Sequence, residues 1–230
     1  MSMTDKESKK SDPSALLKIV EAAAMSPEQV KRQVGNWRRK AGKKRDGEAQ
    51  EDFESRVAEK VAAMAVSRYA KLCSFSGGLS GLAAVVPGVG TIISMTAGGL
   101  ADTAVCMKLQ VDMCMCITEA FGWDLTNEDA RHLAFLIAAG GTLEHAGTPV
   151  ATRVASKAGV KMLQMYLRGA ALQTLKELFK KIGIVLTRKA LEKALPFGIG
   201  TVVGAAANFA LAKYVGGQAI EWFKLEKEGR

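Results

Sequence analysis

Residues 72–101 run for thirty positions without one charged side chain, and seven of the thirty are glycine: Gly77, Gly78, Gly81, Gly88, Gly90, Gly98 and Gly99. A run like this has few fates. Lacking a charged face for water to solvate, it must be enclosed by protein or laid against hydrocarbon. A straight helix needs roughly 20 apolar residues to cross a bilayer. Pro87-Gly88 splits the run into halves of about fifteen and eleven before Asp102, and a proline interrupts a helix by its missing amide and its ring. Neither half is long enough, so the run predicts two short helices that dip towards an apolar layer and return.

Residues 194–212 are also free of charge. Pro196-Phe197-Gly198-Ile199-Gly200-Thr201 there matches Pro87-Gly88-Val89-Gly90-Thr91, and each is followed by a small-residue apolar helix, the mark of an internal repeat. Gly77 to Gly81 and Gly200 to Gly204 have GxxxG spacing, which lets helices approach closely in lipid and serves equally for tight packing in a soluble core. Gly88-Val89-Gly90-Thr91 lacks the lysine of a phosphate loop, which excludes Walker-type nucleotide binding.

Hydrophobic residues make up 48% of the chain but aromatics only 6%, a balance that favours helices over strands. The expected fold is all-α, a bundle of about eight to ten helices with two glycine-rich apolar helical hairpins. Asp12-Pro13 and Ser26-Pro27 each offer a cap followed by proline, which starts two short helices. Further helices are expected over about 48–71, 91–120, from the cap at 126–129 to Gly140-Gly141, from Pro149 towards 181, and over 184–195. Residues 1–45 read as a basic N-terminal extension with two short helices, and 46–230 as the main helical domain.

The formal net charge is +9, which points to an anionic partner. Residues 31–45 hold eight basic side chains and no acid: Lys31, Arg32, Arg38, Arg39, Lys40, Lys43, Lys44 and Arg45, with Trp37 among them. After Pro149, Arg153, Lys157, Lys161 and Arg168 fall within about 80° on a single helix. These two groups are the candidate anion-binding residues. A helix-turn-helix, RNP aromatics and a zinc knuckle are all missing from the sequence, so basicity beside long apolar segments favours anionic lipid over nucleic acid.

Chemistry-bearing residues form no familiar constellation. Cys106, Cys114 and Cys116 with their methionines suggest a soft metal. However, Cys114 and Cys116 diverge by about 200° on a helix, and Cys106 lies about 12 Å from Cys114. They read as core filling, and no metal or cofactor is expected. His132 and His145 lack any HExxH-type spacing. Asp102 ends the charge-free run and is expected to mark the water boundary, cap a turn, or pair with Lys108 or Arg131. No catalytic residue is assigned. With no CxxC pair and no apolar signal segment in MSMTDKESKKSDPS, a reducing, cytoplasmic setting is expected.

Gly98-Gly99-Leu100-Ala101-Asp102, the following helix with Lys108 and Gln110, and the closing Ala120-Phe121-Gly122-Trp123-Asp124 resemble the EcsC family of bacterial proteins. The later Gly198-Ile199-Gly200, Gly204, Asn208, Gly216 and Phe223 look like that family's C-terminal segment. The resemblance covers roughly residues 50–225 and departs at Phe121, where the family usually has tyrosine. It implies membrane association and brings no catalytic residues. With the apolar and basic segments, the expected function is peripheral binding of anionic lipid at the cytoplasmic face of the inner membrane, in lipid handling or support of a membrane transporter. A soluble adaptor for an acidic protein or nucleic acid, and a pore-forming or toxin-like protein, are the alternatives.

Overall fold

The computed structural model describes residues 15–74, 78–96, 100–148, 153–192 and 199–229, with the side chains at 78–81, 100, 186–192 and 199–204 outside that description. Among the described residues there are ten helices and no strand: α1 (Ala15–Ala23), α2 (Pro27–Ala41), α3 (Gln50–Cys73), α4 (Gly78–Val85), α5 (Val89–Met95), α6 (Leu100–Ala120), α7 (Glu128–His145), α8 (Lys157–Leu167), α9 (Ala171–Glu192) and α10 (Ile199–Glu228). No helix among these residues is long and apolar enough to cross a membrane.

Helix α6 is the axis of the bundle. From Thr103 to Thr118 every side chain except the half-buried Cys106 is buried, because α3, α7 and α10 pack along it while α1, α2, α5 and α9 close the remaining sides. Small residues set the close approaches. A Cβ on Gly216 of α10 would lie 2.5 Å from Val66 Cγ2 of α3 and 3.2 Å from Met113 Sδ of α6, so three helices meet where that side chain is missing. Phe121 stacks on Phe223 at 5.0 Å, which with the Gly216 contact runs α10 parallel to α6. Lys224 to Glu59 and Lys227 to Glu51 run it antiparallel to α3.

Burial on every side leaves α6 no surface for charge, yet it carries Lys108 and Asp112 one turn apart, both fully buried. The Lys108 ammonium donates to Asp112 Oδ2, and the Met25 amide donates to Asp112 Oδ1 at 3.0 Å. Burial pushes the Asp112 carboxyl up, opposed by the Lys108 charge and these hydrogen bonds. The pair thereby fixes the turn between α1 and α2 on the central helix.

Local signals set most helix starts. Ser26 Oγ accepts the Gln29 amide and Gln29 Oε1 accepts the Ser26 amide, a capping box with Pro27 in the first turn. Asn127 caps α7 through the Asp129 amide at 2.8 Å. Three expectations need correction. The helix over 91–120 is two helices, since α5 ends at Met95 and α6 starts at Leu100. The helix after Pro149 towards 181 is likewise two, α8 and α9, separated at Arg168-Gly169-Ala170, and α9 then runs through Gly183 without the break foreseen at 182–184. A helical glycine costs only about 1 kcal/mol, and Gly183 faces Leu16 Cδ2 of α1. Finally, the division at residue 45 marks an exposed turn and not the edge of a core: Leu16, Leu17, Val20, Val30 and Val34 belong to the same apolar cluster as α6 and α10.

Breaking a buried ion pair by removing one partner typically costs about 3–5 kcal/mol, whereas replacing both with apolar groups is often neutral. Chemical denaturation is therefore expected to show Lys108→Met and Asp112→Leu each destabilised by about that amount, with the double variant recovering most of it. Additive losses in the double variant would show that the two charges are not coupled.

Candidate lipid-facing and anion-binding surface

The basic run at 31–45 divides into residues that build the bundle and residues that face water. Arg38 donates to Glu54 at 3.1 Å and to the Ala120 carbonyl at 2.9 Å, so its guanidinium closes the C-terminal end of α6. Trp37 packs half-buried against the core and does not project as a headgroup anchor. Arg39 bonds to Asn36. Lys31, Arg32, Lys40, Lys43, Lys44 and Arg45 are exposed.

The turn that presents Lys43, Lys44 and Arg45 is organised by Glu48. Its carboxylate accepts from Arg56 Nε at 2.7 Å, Arg56 Nη2 at 2.9 Å and the Arg45 amide at 2.9 Å, while Arg56 Nη2 also reaches the Lys43 carbonyl at 3.1 Å. These bonds, led by the one from Arg56, hold the Glu48 carboxyl at about 2, below its ordinary 4.5. Three cations are thus displayed on a fixed loop instead of a loose tail.

The second basic group is less regular than its spacing implies. Arg153 precedes α8, Lys157 and Lys161 lie on it, and Arg168 is its C-terminal cap. All four are exposed, and Lys157, Lys161 and the αR cap Arg168 keep to one side of α8, whereas Arg153 lies outside the helix, 4.0 Å from Glu144. The helix starts late because Ser156 Oγ accepts the Gly159 amide at 3.0 Å. There the chain folds so tightly that a Cβ on Gly159 would sit 2.2 Å from the Arg153 carbonyl. Ser156 and Gly169 were the available sequence signals.

Helices α4 and α5 are joined at Val86-Pro87-Gly88. Gly88 takes the left-handed conformation (φ 84°), and a Cβ there would lie 2.0 Å from the Ala23 carbonyl oxygen of α1. Leu82, Val86, Val89 and Ile92 turn inward. Pro87, Gly90, Thr91 and Ser94 face out, together with three large apolar side chains: Val85 at 61% exposure, Met95 at 49% and Ile93 at 40%. The described part of the other charge-free segment is the start of the single helix α10, where Ala206, Asn208, Phe209 and Ala210 are exposed. Since α10 runs parallel to α6, and α5 ends four residues before α6 begins, both segments belong to the end of the bundle opposite Phe121 and Phe223. Gly77, Pro196 and Gly198 lie outside the described residues; Gly81 falls in α4, and Gly200 and Gly204 in α10, with their surroundings outside the description.

Asp102 is exposed, and the partner of Lys108 is Asp112 instead. Burial raises the Cys106 thiol to about 11 and the Cys116 thiol to about 12, with Cys114 pushed up as well. Metals and electrophiles react with thiolates, a form these cysteines are held away from. Among the described residues no cluster of three or more His, Cys, Asp or Glu could hold a metal ion.

A cleft of about 480 Å³ that no sequence spacing foretells opens between the α1–α2 turn and α7. Glu21, Gln29, Arg131 and His132 line it with Met115 and Phe135. His132 Nε2 lies 3.6 Å from Glu128, and burial raises the Glu21 carboxyl against the opposing charges of His132 and Lys176. Its one hydroxyl, Ser26 Oγ, is committed to Glu28 and the Gln29 amide.

No protein-family model, curated protein or solved structure matches the chain.

Because the Glu48 carboxyl is lowered, its contribution to the turn is complete above about pH 4.5 and is lost as the pH falls through about 2. Amide exchange at Arg45 is expected to accelerate over that window, and Glu48→Gln to show the fast rate already at neutral pH. An Arg45 amide indifferent to both changes would mean that Glu48 does not organise the basic turn.

Proposed function

We propose that this is a non-enzymatic, EcsC-like protein that binds anionic lipid peripherally at the cytoplasmic face of a bacterial inner membrane, in lipid handling or in support of a membrane transporter. The observation that carries this reading is the outer face of α4–α5. Val85, Ile93 and Met95 stand exposed in a thirty-residue stretch with no charge to hold it in water. Two glycine-rich apolar segments at one end of the bundle would enter the headgroup layer together, the first as a helical hairpin. Shallow insertion of this kind gains from apolar area and from attraction to acidic lipid.

Electrostatics supplies the second contribution. Each Lys or Arg close to an acidic bilayer contributes on the order of 1 kcal/mol. Arg153, Lys157, Lys161 and Arg168 around α8 are exposed and would supply it. Lys31, Arg32 and the braced Lys43, Lys44 and Arg45 are exposed too, but the turn beyond α2 sits at the Ala120 end of α6, opposite α4–α5, and adds attraction before docking and not contact after it. The family resemblance supports the same reading through the motifs at 98–102 and 120–124.

Flotation with vesicles containing phosphatidylglycerol tests the proposal. The chain is expected to cofloat, weakening but not vanishing at high salt. Ile93→Asp with Met95→Asp should abolish the salt-resistant part. Changing Arg153, Lys157 and Lys161 to Gln should lower binding at low salt by on the order of tenfold or more and leave the high-salt fraction unchanged, while the same change at Lys43, Lys44 and Arg45, at the other end of the bundle, should have the smaller effect. Absence of cofloatation at every salt concentration would remove the lipid reading in favour of a soluble adaptor, and dye release from the vesicles would favour a pore former.

A further inference from the structure

Helices α7, α8 and α9 do not close on one another. Between them lies a pocket of about 270 Å³. Leu136, Leu143, Val154 and Leu163 line it as buried residues, Met162 and Leu178 as half-buried ones. The cause lies in the two irregularities that bound α8. The tight fold at Gly159 starts the helix late, and the break at Arg168-Gly169-Ala170 ends it after eleven residues. Helix α8 therefore covers only part of the apolar face that α7 and α9 share, and Gly140 brings α7 against Val154 in place of a side chain that would fill the gap.

The chemistry of the lining restricts what can occupy it. Ligand pockets combine an apolar lining with a few placed polar groups, and here those groups are the Tyr166 hydroxyl, Thr174, Glu177 and Lys181. Glu177 accepts from Gln173 at 3.3 Å, one turn back along α9, whereas Lys181 lies one turn further on. Lys176 and Lys180 are exposed on the same helix, so its outer surface carries more positive than negative charge.

We propose that this pocket is a binding site for a single-chain anionic amphiphile, its hydrocarbon chain lying among Leu136, Leu143, Val154 and Leu163 and its acidic head beside Tyr166 and Lys181. At the ~30 Å³ that a water-sized group occupies, the volume takes a chain on the order of ten carbons. The site is separate from α4–α5 and does not depend on docking to a bilayer, so the test uses no membrane.

Calorimetric titration in lipid-free buffer, below micelle concentrations, compares decanoate, decyl phosphate, decanol and decyltrimethylammonium, with butyrate as the short-chain control. Decanoate and decyl phosphate are expected to bind at one site, decanol more weakly, decyltrimethylammonium more weakly again, and butyrate not at all. Decanoyl lysophosphatidylglycerol distinguishes the sources: tighter binding than decanoate assigns a lysolipid, weaker binding a free fatty acid. Leu178→Trp fills the cavity and should weaken decanoate at least tenfold, with Met162→Trp as the second filling variant should the first not fold by circular dichroism. The exposed Lys181→Glu should weaken decanoate about threefold to tenfold and favour the cationic amphiphile. Vesicle flotation of the filled variants should be unchanged, which separates failure at this site from failure of the membrane reading. Failure of decanoate to bind, or equal binding by a folded filling variant, would overturn the proposal.

Discussion

A helix enclosed on all sides must settle its charges internally, and the rest of this bundle is arranged around how α6 does so. Lys108 and Asp112 satisfy each other one turn apart, and the carboxylate's second oxygen takes the Met25 amide. That second bond ties in the N-terminal helices. It places the α1–α2 turn on α6, positions Tyr69 with its hydroxyl 3.2 Å from Met25 Sδ, and leaves α2 to deliver Arg38 to the far end of α6. The N-terminal region, basic enough to look like a separate attachment, is thereby part of the central packing.

Much of the architecture is legible in the sequence because it depends on local chemistry. Ser26-Pro27 with Gln29, Asn127 before the acidic turn, and the proline at 87 act within a few residues of themselves, and α2, α7 and the α4–α5 division follow. The role of Lys108 and Asp112 was hidden for the opposite reason: a Lys and an Asp four apart look the same on a solvated helix as in a core, and only packing by other helices distinguishes them. Asp102 drew attention at the edge of an uncharged run, yet ten residues further along lies the acid that is enclosed. The α8–α9 break depends on Gly169, whereas Gly183, chemically identical, passes unnoticed inside α9.

The candidate surface shows a similar division. Exposed cations at Lys43, Lys44 and Arg45 could be read from composition, but not the carboxylate of Glu48 that shapes their turn, nor the diversion of Arg38 and Trp37 to structural duty. The cleft of Glu21 and His132 brings together residues more than a hundred positions apart, which no spacing rule reaches. The pocket beneath α8 arises from the shortness of one helix, a property of its ends and not of any motif.

The contact at Gly88 has a mechanical consequence. Its bare α-carbon rests against the Ala23 carbonyl, two residues before the amide that Asp112 holds. Any inward displacement of α4–α5 therefore presses on the last turn of α1, and shifting that turn strains the hydrogen bond at the heart of the bundle. The apolar helices and the innermost charge are joined as a lever is to its pivot, so that a force applied at the rim is felt by Asp112.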